Sequence, residues 1–168
     1  MEIVTPPQPS TPQPELASGW QWVDSHWAAY WLMTNQGIDN RKDSLETLAE
    51  YVPPLFATLR WMQEHPGTSE IFQKILKVEN PYAVSALLSR WYLEAGLLEA
   101  ETGQYAPELL EVVLKTRSYQ TNRLGMIASY FSDPVIYIPS ERRYDRGRHR
   151  TYVAWRLQLP EVFLFARL

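Results

Sequence analysis

The chain contains no cysteine, which excludes disulfides, thiolate metal ligands and cysteine nucleophiles. Histidine is nearly as scarce. His26, His65 and His149 are the only three, and no two share helical ligand spacing, so no metal site is expected. A glycine-rich phosphate loop, an HExxH pair and a readable Ser–His–Asp arrangement are all missing. The expectation is a protein without catalysis and without a cofactor. No apolar run approaches the ~20 residues of a membrane span, and no signal-peptide pattern opens the chain. A cytoplasmic location is the expectation. What is present is 168 residues, 45% hydrophobic and 21% charged, a composition that buries a core without crosslinks.

The net charge of −3 conceals a division along the chain. Residues 1–114 carry 6 Lys/Arg against 15 Asp/Glu, whereas residues 115–168 carry 10 against 4. A basic end on an acidic body points to a polyanion, an acidic protein surface or a second copy as partner.

Residues 5–14, TPPQPSTPQP, hold five prolines. Proline lacks the amide donor and clashes with a preceding helical turn, so this stretch is expected to be extended and polyproline-like. Residues 1–18 read as a loose tail and residues 19–168 as a single domain. In Ser25–Gln36, Trp27, Tyr30 and Trp31 fall at i, i+3 and i+4, an aromatic core stripe on one helix face, with Ser25 as its cap. Asp43–Tyr51 reads as a short helix stopped by Pro53–Pro54, and Pro54 as the first residue of the next.

Residues 54–106 carry a more specific pattern. A helix follows Pro54, and Pro66–Gly67 breaks it. A second helix follows the Thr68 or Ser69 cap, and a third opens at Asn80–Pro81 and ends at Gly96. A short strand pair turning at Thr102–Gly103 comes next. Through RWMQEHPG (Arg60–Gly67) and VSALLSRWYLEAGLL (Val84–Leu98) this region resembles the winged helix-turn-helix superfamily. The resemblance implies that the third helix enters the major groove of double-stranded DNA, with Ser85, Ser89 and Arg90 facing the bases. It also implies transcription regulation as a role, and a homodimer formed through the helix that Pro107 opens.

The C-terminal third supplies the strongest functional feature. VIYI after Asp133–Pro134 reads as a strand, and the alternation in TYVAWRLQL (Thr151–Leu159) reads as its partner. Together they predict a long β-hairpin turning near Asp145–Gly147. Its tip carries Arg142, Arg143, Arg146, Arg148 and Arg150, with Tyr144 and His149 among them. Guanidinium forks match phosphate oxygens, and a tyrosine ring stacks on a base or sugar. His149, among like charges, has the features of a base, although a hydrogen-bonding role is simpler. His26 shows no partner. Asp133 with Glu141–Arg142–Arg143 resembles a nuclease acid arrangement only weakly, because the lysine is missing. The final EVFLFARL reads as a covering strand, a short helix or an exposed apolar end.

The fold expected is therefore α+β: a winged-helix-like helical body, an additional C-terminal helix and a long basic β-hairpin. The function expected is non-catalytic nucleic-acid binding, with double-stranded DNA as partner. The alternative is a subunit of a larger nucleoprotein assembly, contacting guide RNA or an acidic protein surface.

Overall fold

The computed structural model describes residues 1–39, 42–64, 70–80, 127, 130–131 and 133–168. The chain divides into two compact units, Met1–Pro53 with Asp133–Leu168, and Pro54–Ser132. The described residues form four α-helices and a four-stranded mixed sheet, an α+β arrangement. None of these helices is long and apolar enough to cross a membrane.

The sheet belongs to the first unit. Its strands are β1 (Gly19–Asp24), β2 (Ile136–Ile138), β3 (Arg143–Arg146) and β4 (Glu161–Ala166), in the order β1-β4-β2-β3. β4 is central, antiparallel to β1 over six residue pairs and parallel to β2. The apolar run EVFLFA is thus neither an exposed end nor a helix: Val162 to Ala166 are all buried. Trp20 and Trp22 of β1 lie across from Phe165 and Phe163 and pack on those rings. Cross-strand aromatic pairs of this kind each add a few tenths of a kcal/mol to about 1 kcal/mol.

On the sheet's other face lies α1 (Ser25–Asn35), as predicted, with Trp27 and Trp31 buried. Its cap is Asp24 instead of Ser25: the carboxylate accepts the amide of Trp27 at 3.0 Å. Trp31 stacks on Tyr137 of β2 at 4.9 Å, and Tyr137 packs on Tyr144 of β3. Gln36, just past α1, seals the outer edge of β3. Its side-chain amide donates to the carbonyl of Tyr144 at 3.0 Å and accepts that residue's N–H at 2.6 Å. One side chain thereby stands in for a fifth strand at that point.

Two expectations fail here for physical reasons. The segment Thr151–Leu159 is not a strand. It falls within and just beyond α4 (Arg148–Arg156), and the long hairpin shrinks to β2, a 3-10 turn at Pro139–Glu141 and β3. Parallel strands cannot be joined by a tight turn, and α4 is the crossover that brings the chain back to β4. Four successive buried residues, Thr151 to Ala154, fit a helix inserted into the core, and packing overrides their β-branched and aromatic preference. The second failure is at Pro53–Pro54, which do not stop a helix. α2 (Lys42–Glu64) runs through them, and Thr58 donates its hydroxyl to the Pro54 carbonyl at 2.7 Å. Leu45, Val52, Leu55, Phe56 and Leu59 are buried at helical spacing on both sides of the prolines. The apolar stripe outweighs the missing donors.

The second unit contains the end of α2 and α3 (Glu70–Leu76), where Ile75 is buried as predicted. Phe56 meets Tyr130 edge-on at 5.9 Å. The third helix, the strand pair and the helix from Pro107 fall outside the described residues, apart from the last residues of that helix.

Residues 1–18 form no helix or strand, and they are not the loose tail expected. Pro6 and Pro9 are buried, and hydrogen bonds tie residues 2–11 to α1 and α4.

Gly147 starts α4 with φ +85°, and a Cβ there would sit 2.7 Å from the Val135 Cα. Gly37 also has positive φ, +71°, with nothing within 4 Å of a Cβ. Gly147→Ala is expected to cost at least about 2 kcal/mol in urea unfolding and Gly37→Ala only about 1 kcal/mol.

Candidate functional site

The arginine-bearing segment from Arg142 to Arg150 starts in a turn, passes along the edge strand β3 and ends in the first turn of α4. It is therefore not one loop tip. Arg142 holds the left-handed conformation at φ 52°, closing the 3-10 turn through its N–H to the Pro139 carbonyl at 3.1 Å. Arg143 and Arg146 lie at the two ends of β3 with exposed side chains. Arg148 and Arg150 enter α4; Arg148 is half-buried, and the Arg150 side chain is only 11% exposed.

Carboxylates take up part of this charge. Arg143 donates to Glu141 and lies 3.5 Å from Asp145, and its hydrogen bond to Glu141 raises its pKa. Asp133 bridges Arg146 at 3.1 Å and Arg150 at 3.8 Å. Asp145 also faces Arg167 at 4.0 Å. Water screens exposed pairs of this kind, so they add little to stability. Arg142 and Arg148 have no ion-pair partner among the described residues. All three acids of residues 133–150 already face arginine, so the segment keeps a positive surplus.

The helix geometry adds to that surplus. α4 has no side-chain cap at Gly147 and no acidic residue in its first turn. Its positive dipole end therefore coincides with Arg148 and Arg150, a combination that raises the potential and favours an anion.

Two predicted site residues have other roles. Tyr144 does not present its ring for stacking on a base. It is 2% exposed, and its hydroxyl donates to the Ala28 carbonyl at 2.8 Å. On a strand whose neighbours face outward, residue 144 points to the core. His149 is half-buried and lies 3.8 Å from the Asp39 carboxylate. Ser85, Ser89 and Arg90 fall outside the described residues. Among the described residues no group of three or more His, Asp or Glu side chains is placed to hold a metal ion.

A cavity of about 720 Å³ opens beside Arg142. Tyr30, Trp31 and Asn35 of α1, Tyr137 of β2 and the segment Gln13–Leu16 line it. Burial raises the Tyr137 phenol above its ordinary pKa, and the nearby guanidinium of Arg142 pulls it back down.

Sequence reasoning passed over His26, Tyr152 and Arg156, each of which holds the N-terminal segment. A signal for them existed: Ile3, Pro6 and Pro9 recur every third residue, the period of a polyproline helix with one covered face.

No protein-family model matches the chain, nor does any curated protein or solved structure.

Burial lifts the Tyr144 phenol well above its ordinary 10.0, with Tyr137 adding to the shift. The unfolded chain therefore loses this proton first. The stability that Tyr144 contributes is full below about pH 10 and is lost as pH rises further. Tyr144→Phe is expected to cost about 1 kcal/mol at neutral pH, for the lost bond to Ala28. Above about pH 10 the variant should lose stability less steeply than the native chain, as followed by urea unfolding across alkaline pH.

Proposed function

We propose that this chain is a non-catalytic nucleic-acid-binding protein that grips the backbone of double-stranded DNA with the segment Arg142–Arg150. The observation that carries this reading is the coincidence of an uncapped helix N-terminus, free of acids in its first turn, with Arg148 and Arg150. Arg146 precedes it, and Arg142 stands without an ion-pair partner among the described residues. A phosphate supplies the counter-charge for the helix end, for Arg142 and for Arg148, and adds to the one Asp133 already gives Arg146 and Arg150.

In this reading Arg142, Arg143, Arg146, Arg148 and Arg150 neutralise phosphates, and His149 adds a contact when protonated. Tyr144 positions the strand from within the core. The winged-helix resemblance of residues 54–106 supplies the base-reading part, with Ser85, Ser89 and Arg90 on the third helix. Transcription regulation as a homodimer is the role such a body would serve.

One observation favours a second reading, a subunit that binds an acidic protein surface or a guide RNA. Glu141, Asp145 and Asp133 already show these arginines accepting carboxylates as partners. An acidic protein surface would exchange like for like.

Fluorescence anisotropy of a labelled duplex, titrated at several salt concentrations, decides between them. Binding that weakens steeply with salt is expected. The double variant Arg142→Ala/Arg148→Ala should flatten the slope of log K against log salt by about 2, at ~0.9 per phosphate contact. Arg143→Ala, which removes an already paired cation, should change it less. No binding to duplex at low salt overturns the DNA reading, and the same titration with RNA and with an acidic peptide then tests the second.

A further inference from the structure

The N-terminal segment is bound as a ligand would be. Ile3, Pro6 and Pro9 turn toward the protein, whereas Val4, Thr5, Pro7 and Gln8 are exposed. A polyproline II helix has three residues per turn, and the inward positions 3, 6 and 9 match one face of it. The helix has no internal hydrogen bonds and its carbonyls need outside donors. Here the donors come from rings. The Nε2–H of His26 donates to the Pro7 carbonyl at 2.7 Å. The indole N–H of Trp27 donates to the Thr11 hydroxyl at 3.1 Å.

Tyr152 of α4 completes the set. It is fully buried, and its hydroxyl donates to the Glu2 carbonyl at 3.1 Å. The same oxygen accepts the Val4 N–H at 2.7 Å and an Arg156 N–H at 2.9 Å. Arg156 donates to the Glu2 carbonyl as well and lies over the Tyr152 ring. Trp155 joins the two helices, stacked on His26 at 6.0 Å and tilted against Tyr152 at 5.9 Å. An aromatic surface with ring-borne donors, spaced for proline on every third residue, is how proline-rich peptides are recognised.

We propose that the groove between α1 and α4 is a receptor for extended proline-rich peptides of the pattern Pro-x-x-Pro, and that residues 3–11 are its tethered occupant. The partner is a protein that exposes such a segment. Pro6-Pro7-Gln8-Pro9 is the copy this chain carries. A tether of this length holds its own segment at an effective concentration on the order of millimolar. A free peptide therefore enters only when it binds more tightly or when the segment is displaced. Residues 13–16, which line the neighbouring cavity, lie between the occupant and β1. Nothing in this arrangement uses the arginine segment, so the two readings stand or fall separately.

The test uses the full chain carrying Pro6→Ala and Pro9→Ala, which weaken the tethered occupant. The probe is a fluorescein-labelled synthetic peptide of residues 1–14. The expected result is saturable binding to this variant, at least tenfold tighter than to the native chain. A peptide with alanine at both prolines should not bind, and adding Tyr152→Phe to the variant should weaken binding about tenfold. Two results would each overturn the proposal: no binding by a folded variant, or equal binding of the alanine peptide. Should the variant fail to fold, a protease site in place of the exposed Ala17–Ser18 is cut after the native chain has folded. Reversible replacement of the released fragment by the labelled peptide, on gel filtration, supports the receptor. A fragment that cannot leave without unfolding the rest makes it a structural part of the core and ends the proposal.

Discussion

The parallel pairing of β2 with β4 is the constraint from which the first unit follows. A tight turn cannot join parallel neighbours, so the chain must return between Ile138 and Glu161: β3, antiparallel to β2, brings it back, and α4 carries it from the sheet edge to β4. Gly147 is where strand becomes helix. Its positive φ directs the chain into α4, and its missing Cβ lets the backbone pass against Val135. The crossover spreads the arginines over a turn, an edge strand and a helix end. It also buries Tyr144, and it carries Tyr152 and Arg156 to the side of α1 where the N-terminal segment lies.

Edges explain much of the remaining chemistry. Among the described residues β3 is the edge strand, and an unpaired strand edge invites pairing with another chain. Gln36 closes it at Tyr144 with both of its amide atoms, and Arg143, Asp145 and Arg146 surround the closure with charge. The ion pairs of this strand therefore have a protective role even though each is weak. The surplus arginines are a different matter. Arg148 lies at the positive end of a helix dipole, where a cation is disfavoured. Stability alone would place an acid there.

Much was legible from local signals. α1 followed from the spacing of Trp27, Tyr30 and Trp31, and β2 from the VIYI run, because in both the local pattern and the packing agree. EVFLFARL showed its burial but not its position. Central strands covered on both faces are continuous apolar runs, and such a run has no period to distinguish strand from helix. α4 was misread because Thr151 to Ala154 are buried together, so alternation along them carried no information about facing. Pro53–Pro54 were misread because a stripe from Leu45 to Leu59 holds α2 together across them, and that stripe reads clearly only once the helix is continuous. For the candidate site, the arginine cluster was plain in the sequence. Its pairing with Asp133, Glu141 and Asp145, and the loss of Tyr144 to the core, depend on register that no local pattern encodes.

The N-terminal segment shows how composition and binding are linked. Ordering a flexible residue costs roughly 1–2 kcal/mol, and a few hydrogen bonds at about 1 kcal/mol each would not offset that over a dozen residues. Five prolines in residues 5–14 change the balance, because proline is already confined near the φ of a polyproline helix and loses little on docking. Proline also brings no N–H that must find a partner in the groove. Most donors therefore come from α1 and α4, through His26, Trp27, Tyr152 and Arg156, and the Val4 N–H, from a residue that is not proline, finds the Tyr152 hydroxyl. The composition that reads as disorder in isolation is the one that docks at the lowest entropic cost, provided that an aromatic, donor-bearing surface is waiting. α1 and α4 provide that surface, and only the crossover brings them together.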